Sequence, residues 1–261
     1  MGICVDSGIK ALRQLGYNVV RLPREGIKPL QLIGVQNGET IQLGGLDKLI
    51  VSSTLELPNI VLNEQASKIN GQKSSDLSIA VGLNILGAII GSMGGELGVK
   101  SQYKSAKSVT FEYVDVTGDA VAPLDVGQYL RNATVDVDNK IVEQYVLGNG
   151  RLYLITRTLK SKTFRVDAKA SFSGSLELKV PQIQEVVGAE VEVKGDDKSE
   201  NVVTYHGKVP LVFGFQCLDV GVYDGVISLE TTPAGTVAMA PSGEPKNVVL
   251  EPDGLLSMKS P

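Results

Sequence analysis

From Phe164 to Val180 the chain alternates without exception. Phe164, Val166, Ala168, Ala170, Phe172, Gly174, Leu176, Leu178 and Val180 take one side; Arg165, Asp167, Lys169, Ser171, Ser173, Ser175, Glu177 and Lys179 take the other. A period of two is what a strand with one apolar and one polar face requires, whereas a helix would scatter the same residues around its axis. Such a strand would run roughly 55 Å at about 3.3 Å per residue, against a usual length of about 5–6 residues. Two readings fit. One is a long bent or edge strand with Gly174 at a bulge. The other is a strand able to cross a bilayer, which takes about 9–11 tilted residues with one apolar face.

The rest of the chain is also rich in strands. Residues 17–62 carry short apolar groups punctuated by Pro23, Pro29, Gly34, Asn37-Gly38, Gly44-Gly45 and Pro58, the spacing of short strands and hairpins. Residues 99–115 read as one long strand with Val109, Phe111 and Tyr113 on its apolar side; strand composition returns at residues 152–163 and alternation at 189–193 and 203–217. The strands are too few and too unevenly spaced for a constitutive outer-membrane barrel, so conversion from a soluble form is the expected route to any membrane-spanning state.

Three segments read as helical. Residues 9–15, capped by Asp6 or Ser7 and stopped by Gly16, place Ile9, Leu12 and Leu15 on one face. Residues 77–95 carry no charge and approach the roughly 20 residues of a membrane-spanning helix. Five glycines and Asn84 favour a buried core helix instead, and make the segment easy to refold. Residues 123–131 form the third.

Composition narrows the function. A formal charge of −4 and a pI near 5.2 remove the attraction to phosphate backbones, so no nucleic-acid partner is expected. With His206 as the single histidine and only Cys4 and Cys217 as thiols, the chain lacks the usual equipment for metal binding and acid–base chemistry. Asp6-Ser7-Gly8 matches a short aspartic-protease signature, but that chemistry needs two carboxylates sharing a proton. Neither an enzyme nor a cofactor is expected. The charged first sixteen residues hold no secretory core, which points to the cytoplasm.

After Thr232 the sequence changes character. Pro233, Pro241, Pro245, Pro252 and Pro261 exclude a long regular element, while Val248, Val249, Leu250, Leu255, Leu256 and Met258 supply apolar surface enough to dock on a body and too little for a domain.

The run Gly16-Tyr17-Asn18-Val19-Val20-Arg21-Leu22-Pro23-Arg24, followed by Ile27, Pro29, Leu30 and Leu32, resembles the bacterial gasdermins, most closely over residues 1–60, with agreement in length and order of features over nearly the whole chain. The resemblance implies an α+β fold, a twisted, mainly antiparallel sheet surrounded by helices, with a pore-forming domain at 1–237 and a linker and short inhibitory peptide at 238–261. It implies a latent cytoplasmic monomer that a neighbouring, caspase-like protease cuts, whereupon the bodies assemble into a homo-oligomeric pore in the inner membrane and kill the cell in antiphage defence. Carried onto this chain, the acylated cysteine falls on Cys4 as a palmitoyl thioester, and the cut is placed at Leu250. The inhibitory contacts fall on Val248, Val249, Leu255 and Leu256. The inserting hairpins map to about residues 77–117 and 152–180, through Val109, Phe111, Tyr113, Phe164, Val166, Phe172, Leu176 and Leu178. Lys100, Lys104, Lys107, Arg157, Lys160 and Lys162 are candidates for anionic headgroups. The alternative is an acyl-anchored binding or scaffold protein that forms no pore.

Overall fold

The computed structural model describes residues 12–66, 77–95, 102–103, 105–131, 133–136, 138–146, 148–170, 178–223, 226–230, 248–250 and 256–259. Its elements are β1 (Asn18–Arg24), β2 (Gln31–Gln36), β3 (Glu39–Gly45), β4 (Ile50–Ser53), β5 (Ile60–Gln65), β6 (Leu77–Ser78), α1 (Ile79–Ser92), β7 (Ala106–Val114), β8 (Thr117–Val121), α2 (Pro123–Arg131), β9 (Ala133–Val135), α3 (Lys140–Val146), β10 (Arg151–Ala170), α4 (Val180–Val187), β11 (Val191–Asp196), β12 (Ser199–Tyr223), β13 (Val226–Glu230) and β14 (Met258–Lys259). All fourteen of these strands belong to one sheet, antiparallel except where β14 joins β3.

Two long strands form its spine. β10 has 20 residues and β12 has 25, and they pair from Leu152↔Val220 to Asp167↔Val202 through three irregularities. Those irregularities let strands of such length bend instead of running straight out of the molecule. Along its other edge β10 meets β2, then β8, then β7. The second edge of β12 takes β11, β1 and β13 in turn. At the β2–β3 turn, Asn37 and Gly38 sit at φ +52° and +77°, the left-handed pair that a tight hairpin demands and that the sequence marks.

The alternation is real where the structure describes it. Phe164, Val166 and Ala168 are fully buried, while Arg165, Asp167 and Lys169 are not. The strand ends earlier than the pattern does. Val180 opens α4 with Pro181 in its first turn, where a missing N–H costs nothing. Leu178 precedes that helix, buried, its amide donating to the Glu200 carbonyl. Phe172 and Leu176 lie outside the described residues. At its start the strand runs back to Arg151, fusing two stretches that the sequence separates.

Residues 99–115 are likewise shorter as a strand than expected. β7 begins at Ala106, because Tyr103 turns inward in a short 3-10 turn, fully buried, with its hydroxyl 2.6 Å from that of Tyr205. The uncharged segment forms the core helix α1, which buries Leu86, Ile89 and Ile90, with Met93 buried just past its end. α2 has the expected bounds; α3 and α4 were not legible. Leu12 is buried on its helical turn, but Leu15 is 43% exposed because the helix has already ended before it, and Gly16 follows at φ +80°.

Gly118 on β8 packs so closely on β10 that a Cβ there would lie 2.6 Å from the Thr158 carbonyl oxygen, a backbone atom that cannot turn aside. Gly118→Ala is expected to cost about 1–3 kcal/mol and to lower the thermal unfolding midpoint by several degrees, followed by circular dichroism.

Candidate functional site

Strand pairing around β1 traces a closed circuit. β1 pairs with β12, β12 with β10, β10 with β2, β2 with β3, and β3 with β14. The circuit closes at a parallel bridge between Leu256 and Val20 of β1. Residues 256–259 of the tail are therefore the sixth stave of a small ring. The Leu256 amide donates to the Val19 carbonyl (2.8 Å), and the Arg21 amide donates to the Leu256 carbonyl (2.9 Å). These are the paired backbone groups that an open strand edge otherwise leaves unsatisfied.

The ring has an apolar filling. Leu256, 4% exposed, packs in one cluster with Val20, Ile33, Ile155, Phe215 and Cys217, and Val248, Leu250 and Met258 lie half-buried against it. Burying one leucine side chain is worth about 1.5–3 kcal/mol. At the rim, Lys259 and Glu39 pair at 2.7 Å with both side chains more than half exposed, a contact worth little in water.

A second stretch of the tail docks beside the first. The Val248 amide donates to the Cys217 carbonyl (3.0 Å), and the Val248 carbonyl accepts from Asn18 Nδ2 (2.8 Å). The Leu250 amide donates to Asn18 Oδ1 (2.7 Å). Burial, reinforced by the charge of Asp219 and opposed by the Asn18 hydrogen bond, pushes the Cys217 thiol well above its usual range. It therefore remains an S–H group, 3.6 Å from the Val248 carbonyl, and is a packing and weak donor group.

Of the residues expected in the tail contact, the structure thus places Val248, Val249, Leu250 and Leu256 at or near the body, Val249 half-buried; Leu255 lies outside the described residues, as does Cys4. The sequence pattern missed Asn18, Arg21 and Cys217 as tail contacts. The available signal was Asn18 itself, an amide amid the apolar residues of a strand and inside the run that resembles a known family.

The strand residues expected to enter a membrane form a second assembly. β7 and β10 pair in the registers Val109↔Ala168, Phe111↔Val166 and Tyr113↔Phe164. Val109, Phe111, Phe164 and Val166 are buried in one cluster with Leu86, Ile89 and Ile90 of α1 and Ile183 and Val187 of α4. Tyr113 packs at its margin and stacks on Phe213 at 3.9 Å. Of the basic residues expected at headgroups, Lys160 is instead held inside by Asp119 at 2.7 Å, its side chain 13% exposed, and Arg157 pairs with Glu64 at 3.4 Å. Lys107 and Lys162 are exposed; Lys100 and Lys104 lie outside the described residues. Among the described residues no helix is long and apolar enough to cross a membrane, and no group of His, Cys, Asp and Glu gathers as a metal site would need.

A family model described as the Bacterial Gasdermin Family matches residues 20–229. A gasdermin from a Vitiosangium species is 49% identical over 240 residues, covering 92% of this chain and 90% of the relative. This chain belongs to the bacterial gasdermins. A second gasdermin, from a Desulfuromonadales bacterium, is 37% identical over 247 residues and covers 92% of each chain. The solved bacterial gasdermin of Bradyrhizobium tropiciagri shares the fold, with a TM-score of 0.60 over 86% of this chain and 90% of that one at 18% identity. In this gasdermin the family model spans the strands of the ring's body and ends before the tail.

Leu256→Ala is expected to weaken tail docking by about 2–4 kcal/mol, read as faster hydrogen exchange at the Arg21 amide. Glu39→Ala is expected to change that rate by less than about fivefold, because exposed ion pairs contribute at most about 1 kcal/mol.

Proposed function

We propose that the chain is a latent pore-forming protein whose tail restrains the body until a protease cuts it. The observation that carries this reading is the ring closed by residues 256–259, together with membership of the gasdermin family. A segment that pairs two strand edges and fills the space between them favours the closed body by its own docking free energy. While attached it acts at high effective concentration; once cut it dilutes away.

A cut at Leu250 separates the two docked stretches. Residues 248–250 stay with the body and the peptide from Glu251 to Pro261, with Leu256, leaves. The activating protease is taken to be caspase-like. Loss of the sixth stave exposes the edges of β1 and β3 and the apolar cluster between them.

The freed body then assembles with further copies at the inner membrane. β7, already nine residues long, and β10 supply strands of bilayer-spanning length. The apolar face that α1 and α4 cover becomes the lipid face. Backbone groups in lipid must all be paired, so insertion requires closure of a sheet through many subunits. Palmitoylation of Cys4 adds membrane affinity at about 0.8 kcal/mol per buried methylene. The resulting leakage is the cell-death output in antiphage defence.

Dye-loaded liposomes test the reading. With a protease site placed between Ala240 and Pro245, the intact chain is expected to release no dye and the cut chain to empty the vesicles. Complete cutting and removal of the peptide without release, from neutral and anionic vesicles alike, would leave the acyl-anchored scaffold in its place. Cys4 acylation is read independently: chain isolated from cells is expected to lose one acyl mass on hydroxylamine treatment, and Cys4→Ser to lack that mass from the start.

A further inference from the structure

Asn18 is 2% exposed at the start of β1, next to the buried Val19 and Val20. A buried amide destabilises a fold unless both its ends are satisfied. Here the tail satisfies both: Nδ2 donates to the Val248 carbonyl at 2.8 Å and Oδ1 accepts from the Leu250 amide at 2.7 Å. One side chain thereby presents to alternate residues of an extended segment the donor and acceptor that a neighbouring strand presents with its backbone. The contact reads the tail's main chain.

We propose that Asn18 is the positioning residue for the tail, a clip that sets its register so that Leu256 reaches Val20 and closes the ring. The proposal deepens the latent-pore reading and rests on it only for the leakage measurement below. Its effect is entropic as well as enthalpic. Without the clip, only the Val248 amide bond to the Cys217 carbonyl holds this stretch, and once that bond opens, seating Leu256 requires closing the chain from the end of β13 at Glu230; with residue 250 held, only residues 251–255 remain to be closed. An about fivefold shorter closure is worth about tenfold in the docking equilibrium. The two contacts are then interdependent although they share no atoms, and weakening the clip loosens Leu256 from a distance.

The test uses the full chain and two variants that break the clip from opposite sides. Asn18→Leu removes both bonds to the tail at similar volume, together with the Nδ2 contact to Cys217 Sγ at 3.5 Å. Leu250→Pro removes the donating N–H from the tail and leaves every body residue in place, so it decides the matter even where Asn18→Leu folds poorly. Val249→Ala, which keeps both clip bonds, is the control. Hydrogen exchange at the Leu256 amide is expected to accelerate about tenfold or more in both clip variants and to stay within about twofold in the control. Uncut clip variants are expected to leak dye from liposomes at least about tenfold faster than the uncut parent, yet to match the parent once all are cut at a protease site placed between Ala240 and Pro245, which a general loss of body stability would not produce. Unchanged Leu256 exchange in Leu250→Pro overturns the clip. Accelerated exchange with no leakage from any form, cut parent included, upholds the clip and removes the pore reading.

Discussion

An open strand edge is a row of unpaired backbone donors and acceptors, and the body of this gasdermin has two such edges facing one gap, on β1 and β3. The tail fills that gap with the parallel bridge at Val20 and Leu256 and with the pairing of β14 on β3. Backbone bonds alone would hold a short strand poorly, since each is worth about 0.5–1.5 kcal/mol net of water. The buried Leu256 side chain and the Asn18 amide supply the rest. A tail of this kind docks without being a domain, because the body supplies the core and the tail completes it.

The ring is coupled to the rest of the sheet through its two longest strands. β10 and β12 contribute Ile155 and Phe215 to the ring's filling at one end and Phe164, Val166, Val203 and Tyr205 to the α1-covered cluster further along. The buried Tyr103–Tyr205 hydroxyl pair and the ring stack of Phe164 on Tyr205 at 5.0 Å tie that second cluster to the segment leading into β7. The filling that Leu256 covers and the strands proposed to enter the membrane are thus joined through β10 and β12. The three irregularities in β10 fall between the two regions, two where it exchanges β2 for β8 and β8 for β7 and one, at Leu159–Lys160, along β8.

The alternating run and the glycine-rich apolar helix were legible because each is a one-dimensional pattern with a single structural period: Phe164 to Ala170 faces one way for the same reason that Leu86, Ile89 and Ile90 do in α1. The strand's end was not legible, since the pattern continues to Val180 and only Pro181 marks where helical turn geometry takes over. Tyr103 was unreadable for a different reason: its hydroxyl partner lies a hundred positions away, and the local sequence suits a strand equally well. Docking apolar residues were visible in the tail, but their receptor was not. Asn18, Cys217 and the edge of β3 meet the tail only through tertiary pairing, and the amide beside Val19 and Val20 at the start of β1 was the one local sign of it. Lys160, grouped with surface lysines, is buried with Asp119 because β10 pairs there with β8, which carries that carboxylate.

In the latent-pore reading, departure of residues 256–259, and not the cut itself, releases the body. A disulfide between Thr40→Cys and Met258→Cys, which face each other across β3 and β14, would keep the stave in place after the chain is cut. Dye release from liposomes by this cut, stapled protein is the most direct measurement. Silence is expected while the disulfide is oxidised and full release on reduction; release from the oxidised, fully cut protein would show that the stave does not restrain the body.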